Sequence, residues 1–323
     1  MNCLITGGAG FIGSSLADRL IEEGNVVINV DSFNDYYDIK IKERNITQHS
    51  NNPHYILYRC DICDYEELNA IFKSNKIDII FHLAARAGVR PSIENPILYQ
   101  EVNCRGTNNV LEMARIYGIK KIILASSSSV YGNNKKTPFS ESDVVDYAIS
   151  PYAATKKANE VLGHVYHKLF DIDMIFLRFF TVYGPRQRPD LAISKFTQLI
   201  LDEKEVPVFG DESSARDYTF ITDIIDGILL SMRYVMKNTS VYEIINLGEN
   251  TPVTLKTMIH TIEKVLHKKA IIKNCPQQLG DVDITYADIS KASQLLGYAP
   301  HVSFEDGIKI FTEWYKKTKE ISL

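Results

Sequence analysis

Short, nearly continuous apolar runs recur along the first half of the chain, separated by stretches in which apolar residues return every three or four positions. The runs "NCLIT" (2–6), "VVINV" (26–30), "YILYR" (55–59), "IDIIFHL" (77–83), "KIILAS" (121–126) and "MIFLRF" (174–179) read as strands, and "YEIINL" (242–247) adds another. Helical spacing falls between them, for instance over 14–23, 99–117 and 151–169. Strands apolar on both faces and separated by helices predict a parallel sheet covered on both sides. The expected fold class is therefore α/β, with a doubly wound sheet. Two prolines and a glycine in "VYGPRQRP" (182–189) interrupt the pattern and mark the expected domain crossing.

The first strand runs directly into "GGAGFIG". Gly8, Gly10 and Gly13 satisfy G-x-G-x-x-G, and Gly7, Gly10 and Gly13 satisfy G-x-x-G-x-x-G. Glycines allow a tight turn and close approach of backbone to a pyrophosphate, which then sits at the positive end of the next helix. The motif gains force from its place after a strand and from Asp31 at the end of the second strand. An acid there binds the adenosine ribose hydroxyls and repels a 2′-phosphate, so the expected cofactor is NAD rather than NADP, on a Rossmann sheet. Asp61, after the third strand, either binds the adenine amino group or caps the helix that starts near Tyr65.

Composition narrows the class without changing this picture. The 323 residues are 45% hydrophobic and 24% charged, with a net charge of −4 and no basic stripe, which argues against nucleic acid. No apolar run approaches the ~20 residues of a membrane span, and the start "MNCLITGG" does not read as a signal peptide. Five cysteines fit a reducing compartment, and a cytoplasmic protein is expected. Cys60 and Cys63 form a C-x-x-C without a second ligand pair, so no metal site is expected.

"SPYAATKKANEVL" places Tyr152 and Lys156 four apart on one helical face, 25 residues or so after the serine run of "ASSSSVYG" (125–132). A tyrosine of ordinary pKa, about 10, is a poor base at neutral pH. A nearby ammonium and a positive nicotinamide ring favour the phenolate, and a serine hydroxyl can share the proton of a substrate alcohol. These parts suit hydride transfer at a secondary alcohol carbon.

With "GGAGFIG", "FHLAA" (81–85), "SSSSVYG", "YAATK", "RFFTVYGP" (178–185) and "ARDYTFITDI" (215–224), the chain resembles the extended short-chain dehydrogenase/reductase family end to end, specifically its nucleotide-sugar epimerases and dehydratases. The resemblance implies Ser127, Tyr152 and Lys156 as catalytic residues. It implies NAD held by Gly7, Gly10, Phe11, Ile12, Gly13, Asp31, Asp61, Ile62, Leu83, Ala84 and Ala85, with Tyr152 and Lys156 at the nicotinamide end. His82 is expected to pack the strand end rather than move protons. Family dehydratases carry Asp-Glu directly after the catalytic hydroxyl, and UDP-glucuronate decarboxylases carry Glu before "VYG". Ser128 and Ser129 stand there, which leaves epimerisation.

The substrate is read from fewer positions. Thr181, where UDP-galactose 4-epimerases usually have Asn, resembles UDP-glucuronate 4-epimerases, as do "AGVRPS" (87–92), "RPDLAISKF" (188–196) and "GDVDITYADISKASQLLGY" (280–298). Thr181, Ser127 and Ser128 are expected to receive the sugar carboxylate, with Arg186 as a charged partner, although "PRQRPD" departs from the usual "PWGRPD". The resemblance assigns Arg216 to the diphosphate, Arg90 to the diphosphate or to closure over the site, Lys195 and Phe196 to the nucleotide, and Val208 and Phe209 to a uracil wall. Asp281 completes the expected set. The implied division is 1–181 plus 217–247 for NAD, and 182–216 plus 248–323 for the UDP-sugar. A homodimer built from the helices at 99–117 and 151–169 is also implied.

Overall fold

The structure is a computed structural model and describes residues 1–210, 214–276 and 284–321. The strands are β1 (Asn2–Thr6), β2 (Val26–Val30), β3 (Tyr55–Tyr58), β4 (Ile79–His82), β5 (Lys121–Ser127), β6 (Asp173–Phe179), β7 (Thr181–Tyr183), β8 (Glu205–Phe209), β9 (Ala215–Phe220), β10 (Tyr242–Leu247), β11 (Pro252–Thr254), β12 (Ile271–Cys275) and β13 (Ile284–Thr285). The first helices are α1 (Phe11–Glu22), α2 (Ile39–Ile46), α3 (Tyr65–Ser74), α4 (Val89–Glu94), α5 (Pro96–Tyr99) and α6 (Gly106–Ile116). There follow α7 (Pro151–Phe170), α8 (Ala192–Leu201), α9 (Ile221–Lys237), α10 (Leu255–Leu266), α11 (Ser290–Leu296) and α12 (Phe304–Ile321).

Seven strands form one all-parallel sheet in the order β10-β6-β5-β4-β1-β2-β3. The order reverses between β1 and β4, where a doubly wound sheet opens a crevice at its carboxyl edge. Every residue of β6 is buried, as continuous apolar runs demand when helices cover both faces. The expected Rossmann class and all seven expected strands are observed.

The chain leaves this sheet abruptly. Phe180 still donates its N–H to Leu247 O, but the next residue, Thr181, opens β7 and pairs with Tyr218 of β9. β9 also pairs with β11 and β13, while β8 and β12 form a separate parallel pair. Thr181 therefore sits at the seam between the large sheet and the smaller one.

Two local features set the site. Ser150 caps α7 by accepting from Ala153 N at 3.1 Å, with Pro151 in the first turn, so the helix start that carries Tyr152 is firmly placed. The expected helix over 99–117 instead contains a π-helical turn at Gln100–Arg105 before α6. Asn103 within that turn accepts from Arg86 N and donates to Arg86 O, pinning the segment after β4. Among the described residues, no helix is long and apolar enough to cross a membrane.

Candidate active site

A cavity of about 560 Å³ runs along the carboxyl ends of β1, β2, β4 and β5 and reaches β7. At one end the glycine turn forms its floor. α1 starts at Gly10 with no side chain capping it, which leaves its first turn turned towards the cavity for an anion. A Cβ on Gly13 would lie 2.3 Å from Gly7 O, and one on Gly7, whose φ is +75°, would lie 2.9 Å from the Ala84 backbone. Only glycine fits this cradle, and the fit suits a dinucleotide.

Every residue expected at the cofactor lines this cavity: Gly7, Gly10, Phe11, Ile12, Gly13, Asp31, Asp61, Ile62, Leu83, Ala84, Ala85, Tyr152 and Lys156. Asp31 is buried and held by Ala9 N at 3.1 Å, Phe33 N at 2.9 Å and Lys42 Nζ at 3.1 Å. Asp61 accepts from Cys63 N at 2.9 Å, whereas the helix cap is Asp64, which accepts from Glu67 N. The alternative of Asp61 as the cap of α3 is thereby excluded. Burial pushes the thiols of Cys60 and Cys63 up to about 12, so both are protonated at neutral pH.

At the other end lie Ser127, Ser128, Ser129, Tyr152, Lys156 and Thr181. The strand alternation separates the serines. Ser126 points away and donates to Glu160 Oε1 at 2.7 Å, within a buried ion pair between Glu160 and Arg178. Ser127 points in, caps the turn Ser128–Tyr131 by accepting from Ser129 N, and hydrogen-bonds Tyr152. Lys156 donates to Ala125 O at 2.8 Å, and burial lowers its pKa to about 8. His82 lies between the hydroxyls of Thr6 and Thr107, and burial pulls it down to about 3, which keeps it neutral as a packing residue.

Tyr152 differs from expectation in its electrostatics. Burial raises its pKa above 10, the Ser127 bond opposes this, and the cation that pulls it down is Arg188, with Lys156 6.0 Å from the ring centroid. The protein alone thus holds Tyr152 as a phenol. A phenolate requires positive charge brought by a ligand.

The expected substrate residues divide. Ser127, Ser128 and Thr181 line the cavity, whereas Arg90 and Phe209 do not and pack against each other, the guanidinium 5.7 Å from the ring centre. Arg186 does not line it: a left-handed backbone, φ +71°, turns its side chain to Asp18 on α1 at 2.8 Å. Phe196 and Val208 are buried in the core, Lys195 is an exposed residue of α8, and Arg216 donates to Ala215 O. Asp281 lies outside the described residues. The sequence reading missed Arg188, two positions beyond Arg186. Its guanidinium faces the cavity, forks onto Asp190 at 2.9 and 2.8 Å, and covers the Tyr36 ring at 5.1 Å. It also missed Tyr36 and Lys42, for which no motif gave a signal.

The sequence profile of the GDP-mannose 4,6-dehydratase family matches residues 4–311. A UDP-glucuronate 4-epimerase of Thermodesulfobacterium geofontis is 42% identical over 98% of this chain and 97% of that protein. The crystal structure of a UDP-glucuronic acid 4-epimerase from Bacillus cereus, with UDP-glucuronic acid and NAD, superposes with a TM-score of 0.92 at 36% identity, over 98% of this chain and 100% of that one. A UDP-glucose 4-epimerase from Thermotoga maritima, bound to UDP-glucose, gives a TM-score of 0.90 at 33% identity, over 99% and 100%. The chain belongs to the GDP-mannose 4,6-dehydratase family of extended short-chain dehydrogenases/reductases.

Proposed function

We propose that the protein is a UDP-glucuronate 4-epimerase, which interconverts UDP-glucuronate and UDP-galacturonate through a 4-keto sugar with NAD retained. The observation that carries this reading is the hydroxyl wall of Ser127, Ser128, Ser129 and Thr181 beside Tyr152. It supplies neutral donors for a sugar carboxylate and offers no acid or base for dehydration or decarboxylation. Among the described residues, the carboxylates lining the cavity are Asp31 and Asp61, at the ends of β2 and β3.

Bound NAD would supply the hydride acceptor at C4 and a positive ring that favours the Tyr152 phenolate. Tyr152, its hydroxyl bonded to Ser127, takes the proton of the C4 alcohol and gives it back to the C4 oxygen as the hydride returns to the opposite face of the ketone. Lys156, fixed by Ala125 O, keeps a cation beneath the tyrosine. Arg188 is poised to leave Asp190 for an anionic group of the substrate. The glycine cradle and Asp31 hold the adenosine half, and the sugar nucleotide lies between the large sheet and the segments after Thr181.

A 4-keto uronic acid is a β-keto acid and loses CO₂ when its carboxylate stands perpendicular to the ketone. Thr181 and Ser128 hold the carboxylate away from that geometry in this reading. Thr181→Ala should therefore release UDP-4-keto-pentose, and an unchanged product ratio would remove that role. The reading extends to a homodimer that covers the exposed stripe Val161, Val165 and Leu169 on α7, with a monomeric mass in light scattering as the contrary result.

The test is proton NMR of purified protein with UDP-glucuronate and no added NAD, with Tyr152→Phe as control. Appearance of UDP-galacturonate supports the reading. Turnover of UDP-glucose or UDP-N-acetylglucosamine alone would keep the epimerase chemistry and overturn the carboxylate assignment.

A further inference from the structure

The adenosine end of the cavity holds a buried cation that the glycine turn and Asp31 do not require. Lys42 lies on α2, is 5% exposed, and lines the cavity together with Asp31 and Tyr37. Its Nζ is 3.1 Å from Asp31 Oδ1 and 5.5 Å from the centre of the Tyr37 ring. α2 is tied to the glycine turn, since Asn45 Nδ2 donates to Ala9 O at 3.1 Å. The lysine is therefore placed by the same frame that places the nucleotide floor.

The hydrogen-bond inventory gives this arrangement a purpose. An ammonium has three donors and a carboxylate about four acceptor sites. Asp31 uses acceptor capacity on Ala9 N, Phe33 N and Lys42, yet the pair still presents a donor and an acceptor side by side. A ribose hydroxyl needs both, because it donates and accepts. A 2′-phosphate needs only donors and positive charge, and it meets repulsion from Asp31 and attraction from Lys42.

We propose that Lys42 is a second determinant of cofactor choice: with Asp31 it reads the neutral ribose hydroxyls, and it forms a latent 2′-phosphate site that the Asp31 charge keeps closed. This inference rests on the NAD reading of the cavity. Asp31 alone then does not reject NADP by empty space or bulk. It does so by cancelling a cation that is already in position.

The test uses the purified protein incubated with an equimolar excess of NAD and NADP, followed by acid release and mass spectrometry of the cofactor it carries. Wild type should carry NAD. Asp31→Asn should shift the NADP:NAD ratio towards NADP by about 10-fold to 100-fold, the worth of a hydrogen bond to a charged group. Adding Lys42→Met to Asp31→Asn should abolish that gain while NAD is still carried. An Asp31→Asn gain that survives Lys42→Met, or no gain in Asp31→Asn, overturns the proposal. Lys42→Met alone guards against a misfolded Asp31 variant: it should lower NAD affinity in thermal-shift titration, and unchanged affinity counts against Lys42. Wild type carrying neither dinucleotide would instead remove the NAD reading itself.

Discussion

The two walls of the cavity were written into the chain in different ways. The wall built before Thr181 comes from strand ends and the turns that directly follow them, and its residues sit where local pattern places them. The wall built after Thr181 comes from loops and a small sheet whose partners are far apart in sequence, and its residues depend on backbone turns. Arg186 and Arg188 make the contrast concrete. They are two positions apart, but one reaches Asp18 behind the cavity and the other lines it. In the proposed reading the first wall carries the chemistry and the second carries the choice of substrate.

The largest expected effect lies on the first wall. Lys156→Met should lower kcat by about 10²-fold to 10⁴-fold, the usual span for a lost partner in proton transfer. The pH profile sharpens this. Lys156, lowered to about 8 by burial, carries its charge below that pH and loses it above, while burial holds Tyr152 above 10. Arg188 is the cation that already pulls the Tyr152 pKa down, so Lys156 acts as a second one only if the rising limb of kcat against pH moves to the alkaline side in Lys156→Met. A fall in kcat with an unmoved limb would make Lys156 a packing residue.

Next comes the floor. Gly13→Ala places a methyl 2.3 Å from Gly7 O and 2.7 Å from Gly8 Cα, both backbone atoms that cannot yield cheaply. Overpacking of this kind costs about 1–3 kcal/mol. The cofactor content of the purified variant should fall sharply, with a lower Tm. Full cofactor retention would show the turn to be looser than its geometry.

The second wall is tested by its paired arginines. Arg188→Met should raise KM for UDP-glucuronate by about 10-fold to 100-fold through loss of a charge-assisted contact. Arg186→Met should leave KM unchanged and lower Tm slightly, since it removes a partly exposed pair with Asp18 worth roughly 1 kcal/mol. Reversed outcomes would return the substrate role to Arg186.

Much of the first wall was legible because its signals are local. "GGAGFIG" after a strand specifies a turn, a helix start and an anion site within seven residues, and the Asp31 position follows from the end of the next strand. Ser127 was singled out among the four serines by the resemblance alone, and strand alternation is the structural reason that Ser126 and Ser127 point in opposite directions. Lys42 was illegible, because nothing in α2 marks which of its polar residues turns inward towards Asp31. Arg188 was illegible for another reason: in "PRQRP" the direction of each arginine depends on the positive φ at Arg186, and an arginine gives no sequence sign of adopting it. Phe196 and Val208 were drawn into the substrate set by resemblance, but an apolar side chain there satisfies the core equally well.

The smallest expected effect tests stability beyond Thr181 rather than catalysis. Asp217 is fully buried and accepts N–H bonds from Glu249, Asn250 and Ala287 as well as the Thr219 hydroxyl. Asp223, equally buried, accepts from His301 N and Val302 N. Glu249 lies in the field of both, and its Oε2 is buried with no hydrogen-bond partner among the described residues. Burial first, then Asp223 and Asp217, raise its carboxyl from 4.5 to about 7. Between those values the folded protein binds more protons than the unfolded chain, so this carboxyl makes stability fall as pH rises from about 4.5 to about 7, with the full cost present above. Glu249→Gln removes the charge and keeps the shape, and should gain about 1–2 kcal/mol at pH 8 after allowance for partial exposure. The Tm difference from wild type should be a few degrees at pH 8 and should vanish near pH 4.5. A gain of equal size at both pH values would mean that packing, and not the stacked negative charge of Asp217, Asp223 and Glu249, sets the stability of this wall.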